Sequence, residues 1–254
     1  MLRDSLLPQL MGSLGRNATH QVETAELFEL GRVFGRSQDG KPFEADRLAI
    51  GFTGPVGRGA LDCRRAVTAE EALLWMKGAV ERLATCMHVA RLEFRPTEHP
   101  AFAVALEIRA FGRPAGVLGV LSAKLRHPFR LTTQMALAEL DVEPFMRRFD
   151  AAGKVSPVPA FPMVKRDIAF VAGEGVTHEA VEKCIRKAGP AELIAVTLFD
   201  IFTSKEIGKG RRSFAYSLAF RSADRTLTDD EVNRAFAKIV EALKTTLKVE
   251  VRDN

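Results

Sequence analysis

Apolar and polar residues alternate most regularly in the last third of the chain. In residues 213–220, Phe214, Tyr216, Leu218 and Phe220 fall on one side and Ser213, Ala215, Ser217 and Ala219 on the other. That period of two marks a half-buried strand, and the larger set should point into a core. Residues 167–171 form a short apolar segment and residues 193–201 a β-branched, apolar one, so both read as strands. Between them the period becomes helical. Thr177 can cap a helix with Ala180, Val181, Cys184 and Ile185 on one face, and Gly189-Pro190 stops it. Thr228-Asp229-Asp230-Glu231 has the form of a capping box, its acidic residues suiting a helix N-terminus. The helix that follows buries Val232, Phe236, Ile239, Val240, Leu243 and Leu247, and residues 248–252 supply a last edge strand. The order is β-α-β-β-α-β.

The earlier part of the chain is less regular. Leu6, Leu7, Leu10 and Leu14 predict a helix over residues 2–14, interrupted near Pro8. Residues 27–34 and 48–53 read as strands. Residues 69–87 predict a helix with Leu73, Met76, Val80, Leu83 and Met87 on one face. Residues 103–111 and 115–121, joined by Gly112-Arg113-Pro114, predict a hairpin, and 135–141 a further strand. Pro157, Pro159 and Pro162 forbid a helix between these two parts. The expected organisation is a domain over residues 1–150, a linker over 151–160 and a second domain over 161–254. The fold class is α+β throughout. A mainly antiparallel sheet domain is followed by the split β-α-β of a ferredoxin-like fold, both helices on one sheet face.

Composition narrows the setting. The 254 residues are 46% hydrophobic and 27% charged, as in an ordinary globular protein. No apolar run approaches the roughly 18 residues of a membrane-spanning helix, and no signal-peptide pattern opens the chain, so a cytoplasmic location is expected. Cys63, Cys86 and Cys184 are far apart and form neither a disulfide framework nor a zinc motif. Asn17-Ala18-Thr19 matches a glycosylation sequon by chance in that setting. The net charge of +5 divides evenly, with 21 basic and 18 acidic residues up to Ala160 and 16 and 14 beyond. Neither part is a general nucleic-acid binder on charge alone. Clustering matters more. Between Phe202 and Arg212 stand Lys205, Lys209, Arg211 and Arg212 against Glu206 alone, with Gly208 and Gly210 between them.

Catalytic signatures are missing. There is no G-x-x-x-x-G-K-[ST] phosphate loop and no G-x-S-x-G nucleophile elbow. Gly112, Gly116 and Gly119 have the spacing of hairpin glycines, not of a dinucleotide fingerprint. His20, His88, His99, His127 and His178 are scattered without ligand spacing. Glu26 and Glu29, three apart on an alternating strand, point to opposite faces and do not form an acid–base pair. No catalytic residue, cofactor site or metal site is expected within this sequence.

Particular stretches carry a family resemblance. Leu2-Arg3-Asp4-Ser5-Leu6-Leu7-Pro8-Gln9-Leu10, Asn17, and Glu26-Leu27-Phe28-Glu29-Leu30-Gly31-Arg32-Val33-Phe34 resemble the bacterial phenylalanyl-tRNA synthetase β-subunit family, as does Lys77-Gly78-Ala79-Val80-Glu81. In the second domain, Phe161-Pro162, the run from Arg166 to Val171, Leu198-Phe199-Asp200, residues 213–220 and Asp224-Arg225-Thr226-Leu227-Thr228 resemble the family's ferredoxin-fold anticodon-binding domain. The chain departs from the family at Gly119-Val120-Leu121-Ser122-Ala123 and at Ala101-Phe102-Ala103-Val104 after His99-Pro100. The resemblance assigns those positions no ligand role.

The resemblance implies a C-terminal piece of the β subunit, with a non-catalytic class II synthetase-like domain ahead of the anticodon-binding domain. It implies an α-subunit partner in a heterotetramer of two α and two β subunits, and the tRNA for phenylalanine as ligand. The α subunit of the complete enzyme would use ATP and magnesium to charge that tRNA. RNA contact is expected through Lys165, Arg166, Lys205, Lys209, Arg211, Arg212 and Arg225 on the open sheet face and its rim, Arg166 and Arg225 having a bracing role as their alternative. Arginine suits the work because its planar fork pairs with phosphate. Two other readings start from the same residues. One is a stand-alone ferredoxin-like interaction or ligand-sensing module, which fold alone does not separate from a synthetase part. The other is an independent hydrolase, which lacks a nucleophile–base pair.

Overall fold

The computed structural model describes residues 2–20, 22–36, 39–55, 66–89, 92–146, 158–204, 207–208 and 210–251. The chain divides into two compact units, Met1–Gly153 and Lys154–Asn254. Most of the expected linker lies outside the described residues.

The first unit is built on strands β1 (Ala25–Arg36), β2 (Pro42–Thr53), β3 (Glu93–Thr97), β4 (Phe102–Ala110), β5 (Arg113–Leu121) and β6 (Met135–Asp141). All pair antiparallel, in the order β1-β2-β6-β5-β4-β3. Helix α1 (Leu7–Thr19) covers one face and α2 (Ala69–Cys86) the other. Single turns α3 (Ala123–Arg126) and α4 (Glu143–Met146) follow β5 and β6. Strand β6 is apolar at nearly every position because both its faces are covered. Met135 and Leu137 pack with the α1 leucines, whereas Ala136, Ala138 and Leu140 pack under α2.

Three local readings are corrected here. Pro8 does not interrupt α1; it sits in the first helical turn, where its missing N–H removes no intrahelical bond, and the helix continues to Thr19. The β4–β5 turn is Phe111-Gly112, both with positive φ (54° and 76°), so Arg113 and Pro114 already belong to β5. Strand β3 has no counterpart in the sequence reading. It is a mostly exposed edge strand containing Pro96, and an edge tolerates a residue without an N–H. Gly116, one of the hairpin glycines, has φ +152°, and a Cβ there would stand 2.3 Å from the Glu139 carbonyl oxygen of β6.

Helix α1 has no side-chain cap from its own N-terminus and no acidic residue in its first turn. The anion comes from β6 instead. Buried Glu139 accepts hydrogen bonds from the Leu6 backbone N–H (2.6 Å) and the Ser5 hydroxyl (2.9 Å). Its other oxygen accepts from the Arg47 guanidinium, whose Nε lies 3.1 Å from Asp141. A carboxylate at a helix N-terminus is favoured by the helix dipole and by the orphan N–H groups there.

The second unit comprises β7 (Val164–Gly173), α5 (His178–Ala188), β8 (Leu193–Phe202), β9 (Arg211–Phe220), α6 (Asp229–Leu247) and β10 (Glu250–Val251). The sheet order is β10-β7-β9-β8, fully antiparallel. Val181, Ile185, Val232, Ile239 and Leu243 from the helices pack on Ile168, Phe170, Phe214, Tyr216, Leu218 and Phe220 from the strands, so both helices share one face as expected. Thr177 caps α5 and the Thr228–Glu231 box caps α6.

Tyr216 is fully buried and stacked on Phe170 with ring centroids 5.8 Å apart, and His178 Nδ1 lies 2.8 Å from its hydroxyl. Burial, and secondarily the Glu182 carboxylate, push the phenol above its ordinary range, so it stays neutral. Tyr216 is a core residue.

Candidate nucleic-acid interface

With the helices on one side, the other face of the second sheet is left open. Register fixes what it presents. Lys165, Asp167, Ala169 and Val171 of β7 lie beside Ala219, Ser217, Ala215 and Ser213 of β9, and the latter beside Ala195, Thr197, Asp200 and Phe202 of β8. The central strand β9 contributes small residues and hydroxyls, flanked by the carboxylates of Asp167 and Asp200. Such a floor admits a flat base close to the sheet, but it offers no aromatic platform from the central strands. Sequence alternation on β9 anticipated that floor.

The platform comes from the edge strand. Phe202 pairs with Ser213, shares its face and is 52% exposed. Neighbouring Phe199, at a register shift between Leu198 and Asp200, is also exposed. Sequence reasoning read residues 193–201 as an apolar strand and singled out neither ring. The available signal was the number of apolar residues in β8, more than a single covered face of an edge strand can absorb.

The expected basic residues separate into three groups. Arg211 opens β9 on the open face, its guanidinium 2.7 Å from exposed Glu250 of β10, whereas Arg212, with the parity of Phe214, leaves the strand on the helix side and donates to the Glu174 backbone carbonyl at 3.3 Å. These two come together at the Phe202 end of the sheet. Lys165 is exposed at the other end, eight residues along β7, roughly 27 Å away at a strand's rise per residue. Arg166 and Arg225 turn inward. Arg166 shares the parity of Ile168 and Phe170, donating to Asp229 (2.7 Å) and Asn233 (3.2 Å) of α6. Arg225 grips Glu231 with two nitrogens, at 2.6 and 2.7 Å. Both tie strand or loop to the first turns of α6. Lys205 and Lys209 lie outside the described residues.

The Arg225 grip has a titration signature. Its hydrogen bonds first, and the Thr228 backbone N–H second, pull the Glu231 carboxyl down to about 2. A lowered folded-state value stabilises the protein above the unfolded value of 4.5 and ceases to do so as pH falls through about 2. The expected result for Glu231→Gln is therefore a melting temperature below wild type by a constant amount above about pH 5. The gap should narrow on acidification and close near pH 2. Melts at pH 7, 4 and 2 check this, and a gap independent of pH would count against it.

The first unit presents a different surface. On edge strand β1, Phe28 and Leu30 are 75% and 65% exposed. They pair with Ile50 and Leu48, whose side chains pack against the α2 core, so an apolar strip continues outward beyond the covered part of the sheet. Arg3 holds the other side of β1 through Glu29 and the Arg32 carbonyl. Among the described residues no group of three or more His, Cys, Asp or Glu side chains converges as a metal site, and no helix is long and apolar enough to cross a membrane.

The ferredoxin-like unit with this bare sheet face is of the anticodon-binding class: residues 159–252 match the family model described as ferredoxin-fold anticodon binding domain. Residues 1–142 match the model for the phenylalanyl tRNA synthetase beta chain CLM domain, and the chain belongs to the phenylalanyl-tRNA synthetase beta chain family. It is 34% identical over 247 residues to the phenylalanine–tRNA ligase beta subunit of Symbiobacterium thermophilum, covering 96% of this chain and 27% of that protein. The proteins of the same name from Clostridium tetani (31% identical) and Bacillus subtilis (30% identical) are each matched over 99% of this chain and 31% of their own length. The chain thus spans somewhat under a third of these relatives.

Proposed function

We propose that residues 161–254 bind the anticodon stem-loop of the phenylalanine tRNA, and that residues 1–150 form a non-catalytic synthetase-like domain that packs on the α subunit of phenylalanine–tRNA ligase. The assembly is a cytoplasmic heterotetramer of two α and two β subunits. ATP and magnesium serve the α subunit in charging the tRNA; this chain contributes tRNA binding and assembly.

The observation that carries the RNA reading is exposed Phe202 beside Arg211 on a floor of small residues. An aromatic ring stacks on any base, and a guanidinium alongside meets the phosphate that accompanies it. The α-subunit reading is supported by Phe28 and Leu30, because a contiguous exposed apolar strip on an edge strand is the surface a partner covers.

The test is binding of the whole chain to phenylalanine tRNA at several salt concentrations, alongside a pull-down with the cognate α subunit. With Arg166 and Arg225 engaged in the fold, five of the seven expected residues remain, and about three phosphate contacts among them give a slope of log affinity against log salt near −2. Failure to bind this tRNA at roughly 50 mM salt, where the electrostatic contribution is large, would overturn the RNA reading. Failure to capture the α subunit would overturn the assembly reading, and failure of both would leave the stand-alone module.

A further inference from the structure

Two stretches of the first unit that the fold brings together carry no acidic residue. From Ser5 to Val22 and from Leu121 to Ala138 the chain has no Asp or Glu. The first stretch contains α1. The second contains α3, the 3-10 turn His127–Phe129 and the segment leading into β6. Leu125 and Leu131 pack with the α1 leucines, and Gly15 of α1 leaves the room that the Phe129 ring fills. The cations of both stretches thus share one surface, toward the end of α1 remote from Glu139. We infer that this surface holds phosphates of the bound tRNA outside its anticodon arm. The inference rests on the RNA reading above and adds to it a second RNA contact, on the first unit.

Arg16, Lys124, His127 and Arg130 are exposed, and among the described residues no carboxylate pairs with any of them. Arg126 is half-buried and spends one N–H on the Thr133 carbonyl at 2.9 Å, so it braces the loop. Arg16 has a role within the fold too, because it stands in the last turn of α1, where the helix dipole favours a cation. Lys124 and Arg130 have no comparable role, since neither side chain makes a hydrogen bond or ion pair among the described residues. Arg130 also has φ +52°, a left-handed conformation in which glycine or asparagine is usual. A long side chain kept at a cost to the backbone marks a position where that side chain is used.

The chemistry of the surface selects the partner. None of the exposed large apolar side chains of the described residues lies in α1 or in residues 122–134. A protein interface needs an apolar or aromatic centre, and a membrane surface needs apolar side chains to insert. Separated cations with neither suit the evenly spaced charges of a nucleic-acid backbone. The apolar strip of Phe28 and Leu30 lies on the α2 side of the sheet, so RNA on the α1 side leaves it open to a protein partner.

The test compares the whole phenylalanine tRNA with its isolated anticodon stem-loop, each binding to the full chain. Wild type should bind the whole tRNA more tightly. Lys124→Ala combined with Arg130→Gly should weaken that binding roughly tenfold near physiological salt and flatten the salt slope by about 1.4–1.8, the share of two contacts. The same variant should bind the stem-loop as wild type does. It should melt no lower, because glycine is at ease in the conformation of residue 130. Lys124→Gln with Arg130→Asn should repeat the result, asparagine also adopting that conformation. Wild-type affinity for the whole tRNA at low salt in both double variants would overturn the inference while leaving anticodon binding in place. An equal loss toward the stem-loop would overturn it as well, by placing the effect in the anticodon arm. So would a lowered melting temperature in both variants, which would make the two cations part of the fold. If wild type bound the whole tRNA but not the stem-loop, and the variants still lost affinity, the second-unit reading would fall and this one would stand. Binding of phosphatidylserine vesicles or of the α subunit that the variants abolish, with tRNA affinity unchanged, would overturn the RNA assignment in favour of that partner.

Discussion

Alanine at Lys209, Arg211 and Arg212 together is expected to weaken binding of phenylalanine tRNA by about 30- to 100-fold near physiological salt, with the second unit still folded. Each lost phosphate contact should also flatten the salt dependence by about 0.7 in slope. Phe202→Ala is the complementary variant. Loss of a stacked base is worth about 1–3 kcal/mol, or roughly five- to 150-fold, and it releases no counterions, so the slope should stay where it is. The two variants together separate charge from stacking. Arg211 and Arg212 stand at the start of β9, outside the aromatic core, and Phe202 is exposed, so neither variant should disturb the packing around Tyr216. Unchanged affinity at low salt, with the fold intact, would reduce the turn to a solvated loop.

The largest effect on stability is expected at Glu139. Its carboxylate receives the Leu6 N–H, the Ser5 hydroxyl and the Arg47 guanidinium in a buried position between α1 and the sheet. Glu139→Ala leaves a helix N-terminus without its anion and a half-buried arginine with Asp141 alone. Removal of one partner from a buried ion pair typically costs about 3–5 kcal/mol, and the lower end applies here because Arg47 keeps Asp141 and some solvent. Urea unfolding of the whole chain reads this directly in the transition of the first unit. Pairing Glu139→Leu with Arg47→Met should recover part of the loss, since the penalty is chiefly that of the stranded charge. A loss under about 1 kcal/mol would mean that water replaces the carboxylate at the end of α1.

Both predictions concern residues whose roles are unequally visible in the sequence. Arg166 was legible in principle: its parity with Ile168 and Phe170 places it on the helix side of β7, where it meets Asp229 and Asn233. Arg225 was legible too, three residues ahead of a capping box whose Glu231 it grips. Phe202 was harder. Register shifts at Ile194 and at Phe199 break the alternation along β8, so parity counted from Leu193 misassigns the middle of the strand and places Phe202 correctly only because the two shifts offset. Nor does any local pattern say that β8 is an edge strand, since edge position is a property of sheet order. Glu139 was not legible at all. On a strand covered on both faces it reads as one polar interruption in an apolar run, and its partner Leu6 is 133 residues away.

The sequence by itself determined the elements of the second unit and the inward set of β9, because alternation, capping boxes and Gly-Pro stops act within a few residues and need no partner to be recognised. It also determined that Gly112 and Gly116 belong to a hairpin, since glycines between two apolar runs mark a turn. Only the tertiary structure decided which arginines face outward, which strand forms the edge, and how α1 is capped. Those outcomes depend on sheet order and on contacts between distant segments, where a charge takes whichever partner the packed chain brings to it. The phenylalanyl-tRNA synthetase β-chain signature lies in the elements, while which residues are left exposed is set by how those elements are stacked.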